Sequence, residues 1–83
     1  MIPQLNDTVM FIRDIIINDS HGKVDIIKIG ERGRIVEVKR SFNRQDEYTV
    51  HLFRKNEKVC LNAVPSEMLV LEDDNKEEKV ILT

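Results

Sequence analysis

Two side chains offer covalent chemistry, the thiol of Cys60 and the imidazole of His51. They lie in two apolar-alternating runs separated by Arg54-Lys55-Asn56-Glu57, which reads as a hairpin connection. Pairing about Asn56 sets the runs side by side and puts both residues in the alternation class of Phe53 and Asn62. A thiolate–imidazole nucleophile also needs a group to orient the ring and a site for the oxyanion, and the sequence marks neither. The residues read as a packed thiol and a cross-strand histidine, so no catalytic residue and no enzyme is predicted.

Oxygen and imidazole ligands crowd one stretch, with Asp14, Asp19, His21 and Asp25 within twelve residues. Their spacing matches no calcium loop of the Asp-X-Asp-X-Asp-Gly kind. With a single cysteine there is no multi-cysteine zinc site either. The carboxylates read as turn chemistry in a solvated loop, and neither metal nor cofactor is expected. Gly30 and Gly33 invite comparison with phosphate loops, which need a helix N-terminus directly beyond. Here the β-branched run Arg34-Ile35-Val36-Glu37-Val38 follows, so the glycines read as structural.

Non-covalent chemistry has more to work with. Residues 28–58 hold nine basic and five acidic side chains, while the segment from Glu72 onward holds five acids and two lysines. A continuous face of Arg32, Arg34, Lys39, Arg40, Arg44 and Lys55 would bind phosphates by counterion release. If loops 40–47 and 54–58 sit at different ends of the fold, that patch is split. Phe42 stands alone in the polar run 41–47, where it either folds back on the core or anchors a partner protein. Tyr48 and Phe42 are the candidates for stacking on bases.

The elements that must position these groups are strands. At 83 residues there is one domain and one small core, worth on the order of 5 kcal/mol. Val and Ile outnumber Ala and Leu, which favours strands over helices. A first strand reads over 8–13, followed by a long excursion with turn formers at 18–22. A Gly-X-X-Gly turn over 30–33 comes next, and either glycine there can take positive φ or admit another backbone closely. Strands follow over 34–40, 48–53 and 58–63, then one helical turn over 64–68 and a closing strand over 69–71. Arg34, Val36 and Val38 are expected to share one face of their strand. The expected core is Val9, Phe11, Ile29, Val36, Val38, Val50, Leu52, Val59, Leu61, Met68, Leu69 and Leu71. Residues 72–83 read as an acidic, flexible tail after a domain spanning 1–71.

Asp7-Thr8-Val9, Ile29 to Val38, Tyr48 to Leu52 and Val64 to Leu71 together resemble an SH3-like small barrel. The resemblance implies an all-β, five-stranded barrel with one 3₁₀ turn before its last strand. The glycine turn and its following strand are similar to the KOW modules of ribosomal and transcription proteins. The wider layout is similar to small accessory subunits such as the stromal subunit of photosystem I and the variable chain of ferredoxin–thioredoxin reductase. Fold likeness leaves function open. The leading expectation is a non-enzymatic accessory or subunit-type protein that docks on a larger protein or complex. Its docking residues would be Asp19, His21 and Lys23 of the first loop with Phe42 and Arg44. The alternative is a KOW-like RNA- or DNA-binding module using the six basic residues above. No secretory signal and no apolar run long enough for a bilayer is read, so a cytoplasmic protein without membrane contact is expected.

Overall fold

The longest strand, Arg32–Lys39, begins two residues earlier than its β-branched run, because Gly33 belongs to the strand rather than to the turn. A computed structural model describes residues 2–18 and 21–71. Asp19 and the acidic segment 72–83 lie outside the described residues. The described residues form seven strands: β1 (Thr8–Phe11), β2 (Ile15–Asn18), β3 (Val24–Ile27), β4 (Arg32–Lys39), β5 (Glu47–Leu52), β6 (Cys60–Ala63) and β7 (Met68–Leu71). A 3₁₀ turn, Pro65–Glu67, precedes β7, with the Glu67 carboxylate accepting the Val64 N–H at 3.0 Å. The protein is all-β, as expected.

The expected closed five-stranded barrel is not what forms. Five strands make one antiparallel sheet in the order β6-β5-β4-β1-β7, and β2 and β3 make a separate hairpin. Among the described residues, β6 and β7 do not pair, so the sheet stays open. The excursion after β1 is thus a regular two-stranded element, in register Ile15↔Ile27, Ile16↔Ile26, Ile17↔Asp25 and Asn18↔Val24. Its alternation looks slipped in the sequence because Asp25 points inward beside Ile27 while Ile26 points out.

The turn that returns the hairpin to the sheet uses its two glycines differently. Glu31 N–H donates to the Lys28 carbonyl at 3.0 Å, closing a four-residue turn. Gly30 occupies the third position at φ 94°, the value a type II turn requires there. Gly33 instead permits close approach. A Cβ at this position would lie 2.7 Å from the His51 carbonyl oxygen and 2.7 Å from the Val50 side chain.

One face of the sheet is buried. Val9, Phe11, Ile35, Tyr48, Val50, Leu52, Leu61, Ala63 and Met68 form the core with Ile27 from the hairpin, and Ile15 and Ile17 pack against it. Each large side chain there contributes about 1.5–3 kcal/mol through removal from water. The expected face of β4 is wrong: Gly33 and Ile35 point inward, then Val36 is the extra residue of a β-bulge, and Val38 returns to the core side. Ile35 therefore replaces Val36 in the core. Ile29 is exposed because it sits at the second position of the turn, and Leu69 because it faces away from the core. Val38, Val59 and Leu71 are half-buried, while Ile27, Tyr48 and Ala63 join the core unforeseen. Tyr48 is thus no stacking residue.

Candidate functional site

Arg54 stands two residues past the end of β5 and is the most highly connected side chain of the loop 53–59. Its guanidinium binds both oxygens of Glu31 at 2.5 and 3.1 Å, Asp25 at 2.9 Å and Glu57 at 2.8 Å. It also donates to the Ile26 carbonyl at 3.4 Å. Glu31 caps the glycine turn, Asp25 and Ile26 belong to β3, and Glu57 belongs to the β5–β6 loop. One planar fork with five donors joins three segments, as a lysine could not. The hydrogen bond to Arg54 holds the Asp25 carboxyl below the ordinary carboxylate range, and the three acids hold the guanidinium charged. The sequence shows Arg54 only as one member of a basic run. The inward Asp25 in an otherwise apolar strand was the available signal that a cation would meet it.

Two carboxylates of the first loop, Asp14 and Asp25, are likewise engaged in structure. Asp14 accepts the Ile29 N–H at 2.7 Å and ties the base of the hairpin, and Asp25 is taken by Arg54. Among the described residues no three His, Cys, Asp or Glu side chains gather as a metal site. His21 and Lys23 are exposed in the turn between β2 and β3. The outer face of that hairpin, which sequence reading missed, is apolar: Ile16 lies directly opposite Ile26, and Val24 lies beyond. Ile16 is 67% and Val24 57% exposed.

Phe42 does not fold back on the core. It is 100% exposed in the loop between β4 and β5. That loop is braced at its base by Arg40, 2.6 Å from Asp46, whose second oxygen accepts the Ser41 N–H at 3.3 Å. The pairing with Arg40 lowers the Asp46 carboxyl and raises the Arg40 guanidinium. Arg44 is exposed beside Phe42 in the same loop.

The six basic residues do not make one patch. Loops 40–46 and 53–59 flank opposite ends of β5, so Lys39, Arg40 and Arg44 stand at one end and Arg32 and Lys55 at the other. Arg40 is also spent on Asp46. Arg32 and Arg34 point outward from the sheet and, among the described residues, form no ion pair. His51 and Cys60 share one face of the sheet, as expected, and lie directly opposite each other in a row that runs Leu71, Thr8, Arg34, His51, Cys60. Leu52 N–H donates to the Val59 carbonyl at 2.9 Å, which makes the 51/60 pair the non-hydrogen-bonded kind with the closer side chains. Cys60 is an exposed free thiol rather than the packed one expected, because it lies on the outward face of β6 while Leu61 and Ala63 turn inward. Among the described residues no hydrogen bond orients the imidazole toward it.

Among the described residues no helix is long and apolar enough to cross a membrane. Comparison of the chain with known protein families, with curated proteins and with solved structures finds no match.

Proposed function

We propose that the protein is a non-enzymatic binding module, of the accessory or subunit type, that docks on a larger protein through Phe42. The observation that carries this reading is a fully exposed phenylalanine on a loop closed by its own ion pair. An aromatic ring left in water gains about 1.5–3 kcal/mol when a partner buries it. Bracing by Asp46 lowers the ordering cost that a floppy loop would add on binding. Arg44 supplies a charged neighbour at the rim of the contact, and the apolar outer face of the β2–β3 hairpin adds a second exposed surface. On this reading the fold is an SH3-like small barrel with its edges ajar. The order β6-β5-β4-β1-β7, with the hairpin inserted after the first strand and a 3₁₀ turn before the last, supports it.

The test is co-purification of the tagged full-length protein at native abundance. A partner recovered stoichiometrically with the wild type should be lost with Phe42→Ser, while the thermal melt stays within about 2 °C, since the ring contributes nothing to the core. Equal recovery with wild type and variant would refute Phe42 as the anchor.

A further inference from the structure

We propose that the open face of the main sheet, around Arg32, Arg34, His51 and Phe53, binds single-stranded nucleic acid. This site is separate from the Phe42 loop and independent of it. Phe53 N–H donates to the Arg32 carbonyl at 3.0 Å, which sets these two outward side chains next to each other. Arg34 lies opposite His51 and diagonal to Phe53, and its guanidinium carbon is 5.7 Å from the Phe53 ring centroid. A guanidinium held over an exposed ring extends a stack that an unpaired base can join. Phe53 remains 54% exposed beneath it. Met10 and Leu69 continue this face as an apolar floor beside Arg32.

Charge selects the ligand. The two cross-strand rows, Leu71-Thr8-Arg34-His51-Cys60 and Leu69-Met10-Arg32-Phe53, contain no carboxylate. Among the described residues, the acids on this face of β4 and β5, Glu37 and Glu47, lie toward the other end of the strands, and Glu37 accepts a hydrogen bond from Thr49 at 3.4 Å. The arginines at the ends of β4 and β5, Arg40 and Arg54, are neutralised by ion pairs, and among the described residues Arg32 and Arg34 are not. Unpaired guanidinium groups beside an aromatic ring match a ligand that carries phosphates and bare bases together. Duplex DNA or RNA fits poorly, because its bases are stacked already and this face has no helix or ribbon to enter a groove.

The experiment is fluorescence anisotropy of a labelled oligothymidylate or oligouridylate of about 12 nucleotides against the full chain. Binding is expected at low salt, with log K falling against log salt at a slope of about −1.4 to −2, for two or three phosphates neutralised by Arg32, Arg34 and Lys55. Phe53→Ala and Arg34→Gln should each weaken binding about 5- to 100-fold, and Phe53→Trp should retain it. Lys39→Gln, at the far end of β4, should change nothing. Three results would overturn the proposal: no binding at tens of micromolar protein in low salt, equal affinity for the duplex, or the same loss with Lys39→Gln as with Arg34→Gln. Tighter binding of a glutamate-rich peptide than of the oligonucleotide would also overturn it and mark the face as a protein contact.

Discussion

Gly33 shows how little room a single residue has in this sheet. Its φ is an ordinary one, so backbone strain is not the issue. The space that a Cβ would fill is already held by the His51 carbonyl and the Val50 side chain. Gly33→Ala should therefore cost about 1–3 kcal/mol and lower the melting temperature by several degrees, and Gly33→Val more. Gly30→Ala tests the other mechanism, since alanine resists a φ of 94° although nothing crowds it. About 1–2 kcal/mol is expected there. A melt within a degree of wild type for Gly33→Val would show that β4 and β5 do not approach so closely. That the two glycines matter was legible in the sequence. Which one bends the chain and which one lets a neighbour pass was not, because spacing alone does not reveal what lies across the strand.

At the scale of elements, the β2–β3 hairpin is the part with the least sheet to hold it. Its attachments are Ile15, Ile17 and Ile27 on the core, Asp14 at its base and Asp25 on Arg54. Replacing Arg54 by Met keeps the aliphatic stem but leaves Asp25, Glu31 and Glu57 facing one another without a cation. The expected loss is about 1–3 kcal/mol, between a surface ion pair and a buried one. Amide exchange should rise in residues 15–18 and 24–27 well before it rises in β4 and β5. Uniform acceleration across all strands would mean that the hairpin is no separate unit. Acid should act on this node and on the Arg40–Asp46 pair of the β4–β5 loop. Asp25 and Asp46 have folded-state pKa values lowered by their arginine partners. Their contribution is complete above the unfolded carboxylate pKa of about 3.9 and is lost as pH falls through the lowered values. Denaturant midpoints should hardly change between pH 7 and 5 on account of these groups, then fall below about pH 4. Asp25→Asn should flatten that acid limb. The pairing of the hairpin escaped sequence reading for the reason that makes it interesting, since an inward aspartate broke the apolar alternation and only a partner twenty-nine residues away explains it.

For the whole molecule, the decisive geometry is that β5 separates two surfaces. Six residues of strand stand between the Phe42 loop and the Phe53–Lys55 end, a span of roughly 20 Å. Substitutions that far apart without shared partners act independently. Phe42→Ser should thus abolish partner capture while oligonucleotide affinity stays within twofold, and Phe53→Ala should do the reverse. Coupled losses would place both ligands on one surface. The chain's own order of residues determined the all-β class, the strands read over 48–53 and 58–63 to within two residues of their ends, the 3₁₀ turn and the shared face of His51 and Cys60, since each depends on period-two alternation and on turn formers a few residues apart. Tertiary structure alone decided the rest: the bulge at Val36 that turned Ile35 inward, the hairpin in place of a loop, the open sheet, and the division of the basic residues between two ends. Those outcomes turn on which side chains meet across strands distant in sequence, and local pattern carries no record of such meetings.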